Sequence, residues 1–343
     1  MVSRWRFLAI LIPRIRSSEA LLKRISFFKT NLGLVLVSST ASALLLAGAF
    51  ELIENIRYFF WRKRFDNFGW FGKLTVRSAN PMLMWEYRPY GQFEQVKTNR
   101  YGFRDLDFAS TNKPRGIYRF AFIGDSVTLG MRVDIEETFV RQFEAAANQL
   151  ALQQPVQALN FAVDGYNTPQ IHEMLRTKTL AFQPDKVVYM LCMNDFDFEE
   201  SSGMKIRYFR KPQSFLLLNL ERTYYKLSGG EFYYHHFRKN RTIVFKHLLD
   251  MSTMLQREHI AFQVVILPVF KPEATDFGNY PLGRMHQEIT DFLEKSGIQY
   301  LDLLDAFATQ ERPPKFYAFD TWHLNANGHT FIAQMLLSSA LPH

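Results

Sequence analysis

The chain has 343 residues, 47% of them hydrophobic and 22% charged, which excludes a disordered polypeptide and leaves room for one large domain or two small ones. The formal net charge is +8, but residues 1–30 hold Arg4, Arg6, Arg14, Arg16, Lys23, Arg24 and Lys29 against Glu19 alone, so the rest is close to neutral. A nucleic-acid surface would need its basic patch on the folded domain, so no nucleic-acid partner is expected.

The basic residues 1–30 lead into Leu32–Phe50, nineteen residues without a charge. That length lets a helix cross a hydrocarbon core of about 30 Å, so residues 31–53 are predicted to be a transmembrane anchor. Lys and Arg dominate the N-terminal flank, whereas Glu51 and Glu54 dilute the other. The positive-inside rule then makes 1–30 a cytoplasmic tail and sends the folded part to the periplasmic, extracytoplasmic side of a single-pass protein. Ala47-Gly48-Ala49 also fits a signal-peptide cleavage site, but the long apolar run and long basic leader favour an uncleaved anchor. Cys192 is the single cysteine, which excludes an intramolecular disulfide and says nothing of the compartment.

Residues 54–116 are predicted to be a juxtamembrane lead-in. Tyr58–Arg64 suits a membrane-interface belt or an ordinary helix end, and Asn80-Pro81, Arg88-Pro89, Gly91 and Gly102 point to irregular or short-stranded chain. From 117 to 343 short apolar runs alternate with helical stretches. Strands are predicted at Tyr118–Ile123, Ala158–Ala162, Lys186–Leu191, Ala261–Leu267 and Gln299–Leu303. Helices are predicted at Ile135–Gln149, Pro169–Phe182, Ile243–Glu258, Gly283–Lys295 and Ala326–Leu341. This rhythm argues for an α/β fold, a parallel sheet with helices on both faces. Residues 197–240 interrupt it as an insertion rich in Tyr, Phe and Arg, suited to shaping a pocket, docking a partner or meeting the membrane surface.

In such a sheet a ligand binds beyond the C-terminal ends of the strands. Gly124-Asp125-Ser126 follows the first strand, Asp164-Gly165-Tyr166-Asn167 the second and Asn194-Asp195 the third, while Asp320-Thr321-Trp322-His323 precedes the last helix. Ser126, His323 and Asp320 are the side chains of a serine relay, in which the hydroxyl becomes nucleophilic once a histidine can take its proton. Each fragment also has an ordinary role as turn, cap or surface residue; their joint occurrence points to catalysis.

These blocks resemble the SGNH or GDSL hydrolase family, whose name lists a serine in Gly-Asp-Ser, a glycine, an asparagine and a histidine in Asp-x-x-His. They fall here at Ser126, Gly165, Asn194 and His323, over roughly residues 98–341. The resemblance implies a flavodoxin-like, doubly wound five-stranded parallel sheet and an esterase acting on acyl esters through an acyl-serine. Ser126, His323 and Asp320 would be catalytic, and Ser126, Gly165 and Asn194 would form the oxyanion hole. Val127 replaces the usual leucine, and Cys192 stands where the family has glycine, crowding the loop that holds Asn194. Thr98–Arg104 and Gly165–Thr168 further resemble bacterial envelope members associated with exopolysaccharide, which implies a glycan or lipid ester as substrate. O-acyl transfer to, or deacetylation of, a cell-surface polysaccharide uses the same relay, and an inactive scaffold is the non-enzymatic alternative.

No cofactor or metal is expected. Adjacent His235 and His236 point apart, and His323 and His329 lack a suitably spaced third ligand. Cys192 reads as a small buried thiol and Asn325 as the cap of the last helix.

Overall fold

A computed structural model of the protein describes residues 18–64, 73–108, 110–150, 152–198, 211–227, 231–271 and 274–341. Residues 1–17 of the expected basic tail, 65–72 of the expected lead-in, and 199–210 and 228–230 of the insertion lie outside the described residues.

The chain forms two compact units. One comprises the chain up to Arg57, most of it helix α1 (Ser18–Arg64), together with Ser214–Leu218. Within α1, Lys29–Phe60 is long and apolar enough to cross a membrane by length and composition. Its apolar side chains face outward all round: Leu34, Val37, Leu44, Leu45 and Leu46 are 63% to 75% exposed. Glu51 accepts the backbone N–H groups of Phe215 (3.1 Å) and Leu216 (3.0 Å) and the Ser214 hydroxyl. These are donors that the first turn of a helix leaves unpaired.

The other unit holds Tyr58–Gln213 and Asn219–His343. It begins with two antiparallel pairs, β1 (Thr75–Arg77) with β2 (Trp85–Tyr87) and β3 (Gln92–Phe93) with β4 (Val96–Lys97). A five-stranded parallel sheet follows, built from β5 (Tyr118–Ile123), β6 (Val156–Asn160), β7 (Lys186–Leu191), β8 (Ala261–Ile266) and β9 (Gln299–Asp302). The spatial order β6-β5-β7-β8-β9 is the flavodoxin-like arrangement, with its switch point between β5 and β7.

Strand periodicity sorts the core into two layers. Ala121 and Ile123 of β5 face one side with Val187, Tyr189 and Val264. Helices α4 (Thr168–Thr177), α6 (Glu231–Arg257) and α7 (Gly283–Lys295) cover it. Phe120 and Phe122 face the other side with Val188, Met190 and Val265, under α3 (Phe139–Ala147) and α9 (Ala326–Ser339). Two short helices, α2 (Ser126–Leu129) and α8 (Leu303–Ala308), and the insertion helix α5 (Phe215–Leu227) complete the set named here. Leu74, Leu83, Trp85, Tyr87, Val96 and Phe103, from the stretch read as a lead-in, are buried in the same core.

Boundaries differ from expectation where side chains compete for the backbone. Strand β6 starts and stops two residues early, because Asn160 Oδ1 takes the Ala162 N–H at 3.0 Å and turns the chain out of the sheet. The helix expected from Ile135 divides at Thr138, whose extended backbone and hydroxyl cap α3. Helix α6 starts at Glu231 instead of Ile243, since Phe237 continues the buried stripe of Val244, Leu248, Met251 and Leu255.

Candidate active site

Ser126 stands where the central strand β5 gives way to α2. Gly124 makes that turn possible: a Cβ there would lie 2.1 Å from Thr128 Oγ1 and 3.3 Å from the Met190 carbonyl. The Asp125 carboxylate caps α2 by accepting the Val127 N–H at 2.9 Å. Ser126 is therefore the first residue of a helix, where the backbone N–H has no intrahelical acceptor. After α2 the chain turns at Gly130 (φ 77°). Arg104, 1% exposed, donates there to the carbonyls of Leu129 (2.9 Å), Gly130 and Val133.

The loop before α9 supplies the partners. His323 Nε2 lies 3.1 Å from Ser126 Oγ, and His323 Nδ1 lies 3.0 Å from both Asp320 oxygens. Asp320 Oδ1 also accepts the N–H groups of Trp322 and His323, each at 2.9 Å, which fixes the carboxylate against the ring it serves. Burial pushes the Asp320 carboxyl up, but the backbone N–H of His323, its imidazole and the Trp322 N–H together hold it below the usual carboxylate range.

Gly165, at φ 72°, adopts the left-handed backbone that suits a residue without a Cβ. Its loop is tied down from outside the sheet: Trp85 Nε1 donates to the Asp164 carbonyl (3.2 Å), and the Asp164 N–H donates to Tyr87 Oη (3.0 Å). Asn167 caps α4 through the Gln170 N–H. Asn194 lies in a short 3-10 turn after β7 and donates from Nδ2 to Asp125 Oδ2 at 2.9 Å. An amide nitrogen carries two hydrogens, so one donor remains. The turn itself hangs on buried Asp195, whose Oδ2 accepts the Cys192 N–H and the Tyr189 hydroxyl, each at 2.9 Å. The Tyr189 and Thr168 hydroxyls are 2.9 Å apart, linking this turn to the start of α4.

Ser126, Asp320 and His323 thus meet, and Asn194 is joined to the residue preceding the serine. Cys192 does not crowd its loop as expected: it is 2% exposed, packs in the core, and its thiol lies 3.5 Å from Asp125 Oδ1. Burial, and then Asp125, push that thiol well above its usual range, so it is no nucleophile. His329 is fully buried, with Nδ1 accepting the Phe139 N–H at 3.2 Å; burial, and then Arg104, lower it to about 3. His235 faces Glu221 and His236 faces Asp197. Asn325 caps α9 through the N–H groups of Asn327 and Gly328.

Four residues at the site had no reading of their own in the sequence. Arg132 Nη1 donates to Asp320 Oδ2 at 3.0 Å, and its guanidinium lies 4.5 Å from the centre of the Phe319 ring. Trp85, Tyr87 and Arg104 come from the stretch read as a lead-in. The visible signals were the apolar-polar-apolar alternation of Trp85-Glu86-Tyr87 and, for Arg104, its place at the end of the stretch Thr98–Arg104. The insertion also reaches the site, since Tyr233 of α6 packs edge-on against Trp322 at 5.3 Å.

Residues 122–331 match the family model for the GDSL-like lipase/acylhydrolase family. Among curated proteins there is no match. Among solved structures, the chain is similar to the acetyl xylan esterase AlAXEase, at 15% identity over 65% of this chain and 100% of that one (TM-score 0.46). It is also similar to a catalytic mutant of the acetylxylan esterase Axe2 from Geobacillus stearothermophilus, at 15% identity over 66% and 95% (TM-score 0.45). A third likeness is to TesA, at 11% identity over 64% and 97% (TM-score 0.44). The family model spans more than half of the chain and contains Ser126, Gly165, Asn194, Asp320 and His323, so the protein belongs to the GDSL-like lipase/acylhydrolase family and is an ester-bond hydrolase.

Proposed function

We propose that the protein is a membrane-anchored serine esterase that cleaves acyl esters of envelope glycans or lipids through an acyl-Ser126 intermediate. The observation that carries this reading is the unbroken relay Ser126 Oγ, His323 Nε2, His323 Nδ1, Asp320, with steps of 3.1 and 3.0 Å. His323 takes the hydroxyl proton as Ser126 attacks the ester carbonyl, then returns it to the leaving alcohol; water repeats the cycle to release the acid. Asp320 holds the ring orientation and offsets the imidazolium charge. The N–H groups of Ser126 and Gly165 and the remaining Nδ2 hydrogen of Asn194 receive the oxyanion, where each donor contributes about 3–4 kcal/mol to the transition state. The relay itself weighs against an inactive scaffold.

Anchoring is supported by the apolar stretch of α1, which is apolar on all sides and exposed. A helix of that kind needs either a core or a bilayer around it. The basic N-terminal flank puts the hydrolase on the extracytoplasmic side, where envelope esters are its substrates.

The test compares full-length protein with Ser126→Ala, using a fluorophosphonate probe and a series of short and long acyl esters. Labelling is expected of the parent alone, with esterase activity falling by roughly 10³-fold or more in the variant. Equal labelling of both proteins, or of neither, overturns the serine mechanism. Labelling that depends on Ser126 with turnover only when a sugar acceptor is added would replace hydrolysis by acyl transfer.

A further inference from the structure

A second cluster of reactive side chains lies outside the relay. His172 is on α4, while His247 and Asp250 are on α6, three residues apart and so on one helical face. The two imidazoles meet through the same atom type, Nδ1 to Nδ1 at 2.8 Å, and a carboxylate oxygen of Asp250 completes a group whose atoms all lie within 4.8 Å of one another. All three residues are partly buried. A hydrogen bond between two rings needs no third partner; three donors converging from two helices are what a metal ion needs. Two imidazole nitrogens bound to a tetrahedral zinc at about 2.05 Å stand about 3.3 Å apart, so small side-chain rotations open the pair enough to admit the ion.

We propose that His172, His247 and Asp250 bind a divalent transition metal of the zinc class, clamping α4 to α6 and leaving the fourth position to water. Two imidazoles and one carboxylate match the ligand preference of zinc, where calcium or magnesium would require oxygen donors. Binding needs no net proton release from the rings. In the empty pair one Nδ1–H points at the other Nδ1; with the ion bound, that ring carries its proton on Nε2 instead. Lys246 Nζ donates to Asp250 Oδ2 at 2.5 Å, which keeps the carboxylate ionised and able to ligate. Residues 75 positions apart in sequence make the site, so no local spacing announces it.

Full-length protein freed of metal with a chelator would be titrated with zinc chloride against a chromophoric competitor. One zinc per chain is expected at low micromolar affinity or tighter, with a rise in melting temperature as zinc is added. His172→Ala and His247→Ala should each weaken binding by about tenfold or more, as loss of a ligand does, while His235→Ala and Ser126→Ala should bind as the parent does. Because Ser126→Ala retains the metal, failure of this site and failure of the esterase mechanism are separately visible. Cobalt added to the parent protein gives a reading that requires no variant, the intense visible bands of a four-coordinate ion. Zinc binding weaker than about 100 μM, binding by the two histidine variants as tight as the parent's, or the pale spectrum of hydrated cobalt would each reduce the cluster to a histidine pair.

Discussion

Asp320 serves two partners at once. One oxygen is fixed by backbone N–H groups while both face the His323 ring, and Oδ2 also accepts from Arg132 at 3.0 Å. Arg132 thus helps to hold the carboxylate that orients the His323 ring, as a positioning residue. Arg132→Asn tests this cleanly, because Asn tolerates the left-handed backbone found at this position (φ 72°) while the charge is lost. The variant should lower kcat by up to about fivefold with KM little changed, since an exposed pair is worth about 0.2–1 kcal/mol. An unchanged kcat would remove Arg132 from the mechanism. Arg132→Lys should restore most of the lost kcat. Ser126, His323, Asp320, Gly165 and Asn194 were legible as residue types in order along the chain. Arg132 was not, because its partner lies 188 positions away and an arginine after a turn has no distinguishing pattern.

At the scale of elements, the hairpin β1–β2 holds the Gly165 loop in place. Tyr87 is fully engaged in this, its hydroxyl accepting the Asp164 N–H at 3.0 Å, and burial, then Asp164, raise that phenol well above its usual range. Tyr87→Phe leaves a buried N–H without its acceptor, which costs about 1–3 kcal/mol of stability by chemical denaturation. If the loop also carries an oxyanion donor, kcat should fall by about tenfold with KM little changed, short of the 10²–10³ lost with a whole donor. A stability loss with unaltered kcat would limit the hairpin to a structural role. The hairpin escaped the sequence reading for a physical reason. Two strands of three residues, of which Thr75, Trp85 and Tyr87 are buried, are decided by packing, and their local periodicity is too short to announce them. The central strands β5 and β7 were legible to the residue because both faces are covered and every position is apolar or nearly so.

At the scale of the whole molecule, the proposed anchor makes a prediction about the side of a membrane on which the hydrolase lies. An alkaline phosphatase fused after residue 70 should be active, and a green fluorescent protein fused at the same point dark, if the basic tail stays in the cytoplasm. The opposite pattern would overturn the envelope assignment. Charge reversal of Arg4, Arg6, Arg14 and Arg16 should shift the population toward the other orientation, since the excess of Lys and Arg on one flank sets it.

By itself the sequence determined the parallel α/β class, the apolar helix near the N-terminus and the chemical types that meet at the strand ends. Those follow from periodicity, from charge and from residue identity, which are local properties. Only the tertiary structure decided that Asp125 and Asp195 brace Asn194, that the hairpin supports the Gly165 loop and that Arg132 shares Asp320. It also decided that His172 meets His247. Each of these joins elements remote in sequence, through hydrogen bonds whose strength depends on burial and distance, and neither quantity exists until the chain has packed.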